Sequence, residues 1–297
     1  MTESLSRSGL VVVDKPAGMT SHDVVSRLRR IMGTRKVGHA GTLDPMATGV
    51  LVAGIERGTK FLAHMVAATK AYDATIRLGA ATSTDDAEGS VLSTADSDSL
   101  IDDALHASLD KLRGEIMQRP SSVSAIKIDG KRAHERVRDG ETVDIPARPV
   151  TIHRLDVLDI RREDGFVDVD VSVGCSSGTY IRSLARDLGE DLGVGGHLTA
   201  LRRTEVGPFL LADARTLEEL EDSPRLSLSL DEALTRSYPS ISVTDDEAAA
   251  LAMGKWLEPR GLVGVHAAVA PDGRAVALIA EKGKRLSTVF VARPSTL

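Results

Sequence analysis

Cysteine occurs once, at Cys175, which excludes an internal disulfide framework and a metal cage built on thiolates alone. Aromatic residues are few, with four Phe, three Tyr and one Trp in 297 residues. A surface that grips single-stranded nucleic acid by successive stacked rings is therefore not expected. Long apolar runs are missing too. Leu10–Val13 and Val50–Ile55, the latter broken by Gly54, are strand-sized and fall short of the roughly 18 residues of a membrane helix. The polar stretch Met1–Gly9 and the short run after it do not make a secretory signal, so a cytoplasmic location is expected. No H-E-x-x-H occurs, and His39, His64, His106 and His134 are widely spaced, so no metal is expected. The spacings G-x-x-x-x-G-K-[ST] and G-x-S-x-G are also lacking, which removes the signatures of a phosphate-cradling loop and of a serine nucleophile elbow.

What is present is the composition of a globular protein, 42% apolar and 27% charged, in a length that suggests about two domains. The net charge of −6 is unfavourable at first sight for a nucleic-acid partner. The charges are segregated, however. Residues 1–80 hold 11 Lys/Arg against 6 Asp/Glu, residues 81–118 hold 2 against 9, and residues 127–138 hold 5 against 2. An acidic protein so arranged can still present a basic face. On charge alone, an uneven solvated surface explains the pattern equally well.

Periodicity outlines the elements. Leu10–Val13 reads as a buried strand. Thr20 or Ser21 then caps a helix with Val24, Val25, Leu28, Ile31 and Met32 on one face and Arg27, Arg29 and Arg30 largely on the other. Residues 33–49 read as a loop, Val50–Val52 as a strand and Gly58–Ala67 as a helix. Ala71–Leu78 and Phe166–Val173 alternate as half-buried strands. Leu100–Met117 has helical spacing, and a helix is expected from about Thr179 to Leu188. The region 120–148 reads as a surface excursion. Thr244 and Glu247 have capping-box spacing ahead of strand candidates at 262–269, 275–280 and 287–292. The irregular mixture predicts an α+β fold with a mixed, mainly antiparallel central sheet rather than a doubly wound one. Two domains are expected, 1–238 and a small β module at 239–297.

The most informative stretch is Gly38–Gly49. It gathers Gly38, Gly41, Gly49, Pro45, His39 and a single carboxylate, Asp44. Asp44 before Pro45 suits a plain turn. It also suits a carboxylate nucleophile, ionised at neutral pH and needing a cation to orient it. Tyr72 lies on the apolar side of its strand, as a core aromatic does. Arg182 falls in the first turn of a predicted helix, where a cation opposes the helix dipole. That placement asks for a carboxylate partner or for solvent. Asp168 and Asp170 share the polar face of their strand and read as solvated residues.

Four segments then carry a resemblance. Val12-Val13-Asp14-Lys15-Pro16-Ala17-Gly18-Met19-Thr20-Ser21, Gly38–Leu51, Gly178-Thr179-Tyr180-Ile181-Arg182 and His197-Leu198-Thr199-Ala200-Leu201-Arg202-Arg203 resemble, in order, the motifs of the TruB family of bacterial tRNA pseudouridine synthases. The chain departs from the family pattern at Ala40, Met46, Ser177 and His134 and within Pro120–Lys127. The resemblance implies a pseudouridine-synthase-like sheet with a cleft and a C-terminal PUA-like RNA-binding module. By position it implies Asp44 as nucleophile, Tyr72 stacked on the target base, and Arg182 pairing with Asp44. It further implies Lys15, Pro16, His39, Tyr180 and Leu201 around the substrate.

The implied reaction isomerises uridine 55 of the tRNA T loop, with the T-arm as partner and no cofactor, since every atom exchanged belongs to the substrate. A monomer with no obligate protein partner is expected. Attack at C1′, attack at C6 and abstraction of a sugar proton all need the same carboxylate, and the sequence does not choose among them. The base would be flipped out, with basic residues at 27–36 and 127–138 as candidate phosphate contacts. Two rivals stand beside this reading. One is a non-catalytic tRNA-binding or tRNA-folding protein. The other is an aspartyl phosphohydrolase, which lacks its second carboxylate because position 46 is Met.

Overall fold

The computed structural model describes residues 3–65, 68–123, 127–128, 131–132 and 145–296. Along the chain run β1 (Gly9–Lys15), α1 (Ser21–Ile31), β2 (Val37–Ala40), β3 (Thr48–Ile55), β4 (Lys70–Leu78), β5 (Ala80–Thr82), β6 (Val91–Thr94), α2 (Asp102–Asp110) and β7 (Gly114–Gln118). They are followed by β8 (Arg148–Glu163), β9 (Phe166–Cys175), α3 (Ile181–Asp191), β10 (Gly196–Val206), α4 (Leu217–Asp222), β11 (Leu228–Ser229) and α5 (Leu230–Ser237). The chain ends in β12 (Ser240–Ser242), α6 (Asp245–Ala252), β13 (Val265–Val269), β14 (Ala275–Lys282) and β15 (Arg285–Val291). These elements form two compact units, one of residues 1–66 with 206–297 and the other of residues 67–205.

In the first unit β1 runs antiparallel to β3 from Gly9↔Ile55 to Lys15↔Gly49, and β2 pairs with the second half of β3, from Val37↔Ile55 to Ala40↔Val52. Both long strands are apolar almost throughout and buried on both faces, as expected of interior strands. Thr20 caps α1 with a complete capping box: its side chain accepts the Asp23 N–H, and the Asp23 carboxylate accepts from the Thr20 N–H at 2.9 Å. Val24, Val25 and Leu28 bury the helix's apolar face. The C-terminal part forms a sheet ordered β12-β13-β14-β15, parallel at its first pairing and antiparallel after. Thr244 and Glu247 make the expected capping box on α6. Leu251, Ala277, Ile279 and Leu286 give this part a core of its own.

In the second unit β4, β9, β8 and β7 pair antiparallel in that order, and β10 neighbours β4. Burial alternates along β9 without exception. Asp168 and Asp170 do lie on its outer face. There they are taken up by neighbouring strands: Arg77 reaches Asp168 with two hydrogen bonds of 2.8 and 2.7 Å, and Asp170 accepts from Thr75 at 2.7 Å and from Arg161. α3 lies close on the chain that follows it. A Cβ at Gly189 would stand 2.1 Å from the backbone of Gly195 and Gly196, a distance no side chain tolerates.

Several sequence expectations need correction. Val37–Ala40 is a strand rather than part of a loop, because its backbone pairs with β3. The helix expected over 100–117 ends at Asp110. Gly114 turns the chain at φ +80°, and Gly114–Gln118 pairs with β8 although Leu112 and Ile116 continue the helical spacing. The helix expected over 58–67 is Gly58–Phe61, continued by a tighter turn at Leu62–Met65. The 120–148 excursion and the basic residues of 127–138 lie largely outside the described residues. Arg27, one of the candidate phosphate contacts, is ion-paired at the surface with Glu221 and Glu218 at 2.7 and 3.3 Å.

Candidate active site

The loop of Asp44 leads from β2 into β3. Asp44 opens a β-turn in which the Ala47 N–H donates to the Asp44 carbonyl at 3.0 Å. Pro45 stands second in that turn, where its fixed φ is already correct. Gly41 and Gly49 take φ of +77° and +100° on either side, conformations that residues with a Cβ rarely adopt. The Asp44 side chain is half-buried.

Two residues of the first motif fasten this loop. Ser21, at the start of α1, donates to the Leu43 carbonyl at 3.1 Å and accepts from the Leu43 N–H at 2.9 Å. Lys15, at the end of β1, is 0% exposed. Its ammonium donates to the carbonyls of Met19, Pro16 and Pro45 at 2.7, 2.8 and 3.3 Å. The Gly18 N–H adds a bond to the Pro45 carbonyl at 2.8 Å. A buried ammonium must be matched by acceptors, and here three carbonyls from two loops meet that demand. Lys15 is thus a clamp under the loop, whereas Pro16 is exposed. His39 is half-buried on β2, opposite Ala53.

Arg182 lies in the other unit, in the first turn of α3, and is 4% exposed. Its Nη1 donates to the Thr84 carbonyl at 2.9 Å and its Nη2 to the Val123 carbonyl at 2.8 Å. The Asp86 carboxylate stands 3.5 Å from Nη1, and both side chains are buried. Asp86 in turn accepts from the Thr84 hydroxyl at 2.5 Å and from the Glu88 N–H at 3.0 Å. This carboxylate meets the demand that the sequence made for a cation at a helix N-terminus. A guanidinium held on several sides keeps its planar fork in one orientation, which suits it to directing a carboxylate.

The start of α3 has no side-chain cap of its own. Gln118, on β7 and buried, supplies the missing contacts. Its amide oxygen accepts from the Tyr180 N–H at 2.9 Å, and its amide nitrogen donates to the Tyr180 carbonyl at 3.1 Å. Tyr72 is buried on β4 opposite Val173. Leu201 is buried on β10, and Tyr180 is half-buried. Asp86 and Gln118 are the residues that sequence reading missed. Asp86 sits in the acid-rich stretch 81–118, and its burial follows from the β5–β6 hairpin around it. Gln118 sits one residue beyond the stretch whose spacing pointed to a helix.

Residues 29–181 match the N-terminal domain model of the TruB family of pseudouridylate synthases. Residues 182–237 match the C-terminal domain model of tRNA pseudouridylate synthase B, and residues 238–293 the C-terminal model of tRNA pseudouridine synthase II. The chain is 74% identical to tRNA pseudouridine synthase B of Corynebacterium efficiens over the whole of both chains. It is 57% identical to the protein of that name from Rhodococcus jostii, across all of this chain and 97% of the relative. Among solved structures it superposes on a chain of an H/ACA ribonucleoprotein bound to a substrate RNA containing 2′-deoxyuridine. The TM-score is 0.72 at 26% identity, covering 98% of this chain and 86% of the other. A chain of a Cbf5–Nop10–Gar1 complex gives 0.74 at 28% identity, covering 99% and 88%. The fold is the α+β arrangement of these proteins, with a mainly antiparallel sheet and a small C-terminal β module.

Proposed function

The chain belongs to the TruB family of pseudouridylate synthases and is an isomerase that acts on tRNA, and on that premise we propose that it converts uridine 55 of the T loop to pseudouridine with Asp44 as the catalytic carboxylate. The observation that carries this reading is the seating of Asp44. Its carboxylate stands half-buried on a turn whose backbone is locked by Pro45, Ser21 and the buried Lys15. A group that must meet one atom of a large substrate needs that fixity.

The bond between ribose C1′ and uracil N1 breaks, the base turns, and C5 joins C1′. The C5 proton leaves, and N1 ends with a proton in its place. No atom is gained or lost by the substrate, and no cofactor is required. The base is extruded from the folded loop at a cost of a few kcal/mol, which contacts to the phosphates and 2′-hydroxyls of the T-arm offset. Arg182 pairs with and directs Asp44, and Tyr72 stacks on the uracil. Lys15, Pro16, His39, Tyr180 and Leu201 shape the surroundings of the substrate, Lys15 through the loop that it clamps. The 239–297 module adds RNA contacts to the 1–238 catalytic domain, and the enzyme acts in the cytoplasm as a monomer.

The test uses unmodified tRNA transcript labelled with tritium at uridine C5. One tritium released per chain and a pseudouridine mapped to position 55 are expected. Release from another position would overturn the assignment of the target.

A further inference from the structure

The chain's single tryptophan, Trp256, is 46% exposed in the C-terminal module, although a ring of that size is usually well covered. It follows Gly254, whose φ of +73° turns the chain at the end of α6. Its neighbour Leu257 exchanges backbone hydrogen bonds of 2.9 Å in both directions with Leu286 of β15, and both leucines are buried. Those bonds set Trp256 beside Arg285, whose guanidinium lies over the indole at 4.9 Å from the ring centre. Arg285 stands opposite Lys282 across a two-residue turn that begins at Gly283, φ +61°, with Lys284 at its tip.

The charge around the ring is of one sign. Residues 253–260 and 281–286 hold five Lys/Arg against two Asp/Glu, Glu258 and Glu281. Glu281 is taken up by the backbone N–H groups of Arg260 and Leu262 at 2.6 and 2.8 Å, and Arg260 is paired with Glu247. Lys255, Lys282, Lys284 and Arg285 are exposed and make no ion pair among the described residues. On the outer face of β9, by contrast, Arg77 and Arg161 are met by Asp168 and Asp170. In a chain of net charge −6, four cations left uncompensated around an open indole suit a polyanion that carries flat rings. RNA with an unpaired base has both properties, whereas an anionic lipid surface offers the charge and no ring.

We propose that Trp256 is a stacking platform for one unpaired nucleotide of the tRNA, with Lys255, Lys282, Lys284 and Arg285 on the phosphates that flank it. The inference rests on the tRNA-modifying reading given above and gives the C-terminal module a definite point of contact. One ring holds one base, so the scarcity of aromatic residues elsewhere in the chain is no obstacle. Stacking on an indole accepts any base, and the contact therefore adds affinity for tRNA without selecting a sequence.

Because Trp256 is the only tryptophan, the tryptophan emission of the full chain reports on this site alone. Unmodified tRNA transcript is expected to quench that emission, corrected for absorption by the RNA, with the same saturation curve as filter binding. Heparin, a polyanion without bases, leaves it unchanged. Trp256→Ala weakens tRNA binding about tenfold, and Trp256→Phe, which keeps a ring, restores most of the loss. Replacing Lys282 and Lys284 together by Gln lowers the slope of log affinity against log salt by about 2, as the loss of two phosphate contacts does. Emission that tRNA leaves unchanged, equal quenching by heparin, or wild-type affinity in Trp256→Ala would overturn the platform. An emission shift on phosphatidylglycerol vesicles without a response to tRNA would reassign the surface to a membrane. Tritium release from C5-labelled tRNA is followed alongside. Release by the wild type together with any of those results defeats this inference alone, and no release would overturn the parent reading and this inference with it.

Discussion

Asp44 stands on a loop whose supports come from neighbouring sequence, whereas Arg182 stands in a cradle gathered from three distant segments. Lys15, Gly18, Ser21 and the Asp44 turn all fall within 33 positions of one another. α1 beside them is capped by its own Thr20 and Asp23. The cradle draws Thr84 and Asp86 from one hairpin, Gln118 and Val123 from another region, and Arg182 from a helix some 60 residues further on. The charges are handled differently as well. The loop surrounds a buried ammonium with carbonyl dipoles, and the cradle sets a buried carboxylate beside its guanidinium. The Asp44 loop is thus wired locally, whereas the Arg182 cradle exists only once the sheet has formed.

Substitutions on the two sides sharpen this contrast, and the largest effects fall on the chemistry itself. Asp44→Asn is expected to lower pseudouridine formation by at least about 10³-fold with tRNA affinity retained, read by tritium release beside filter binding. Appreciable turnover would remove Asp44 from its role. Arg182→Lys keeps the charge and loses the fork. A fall of about 10²-fold in single-turnover rate with little change in affinity is expected, and equal losses in both would make Arg182 a phosphate contact.

Stability effects come next. Lys15→Met takes the ammonium donor from the part-buried carbonyls of Met19 and Pro16 and leaves Pro45 only the Gly18 N–H, and a loss of about 2 kcal/mol in urea unfolding is expected. Gln118→Leu removes the two bonds to Tyr180 and should cost about 1–2 kcal/mol. If the contrast between the two sides is sound, the rate falls with Gln118→Leu more than affinity does, because the start of α3 carries Arg182.

The smallest effect is a pH signature on the local side. The hydrogen bonds from Thr20 hold the Asp23 carboxyl below its ordinary range. Its contribution is therefore present above the unfolded carboxyl's value and fades as pH falls through the lower folded value. Urea midpoints of the wild type and Asp23→Asn should differ at pH 7 and converge toward pH 3. A gap that persists in acid would assign the effect to something other than ionisation.

The same contrast explains what could be read beforehand. The alternation in Ala71–Leu78 and Phe166–Val173 gave strands that the structure extends to Lys70–Leu78 and Phe166–Cys175, because each has one dry and one wet face. The Asp44 loop was legible as a run of glycines around a lone carboxylate. The cradle was not, since nothing local marks Asp86 as buried or Gln118 as a cap. Strand Arg148–Glu163 also went unread, because few of its sixteen positions are buried and alternation is lost where a bulge interrupts pairing. Residues 112–116 misled because a helical spacing of apolar residues there runs straight through a glycine turn into a strand.

Gly189 gives the close seating of α3 a longer reach. The helix can lie on the Gly195–Gly196 backbone only while position 189 carries no side chain, and Arg182 stands on that helix seven residues upstream. A single methyl there would lift the rod at one end and swing the guanidinium at the other, as a shim under one end of a beam moves the load at its tip. Mutational drift at this remote spot is therefore held in check by the accuracy demanded of a group that Gly189 never touches.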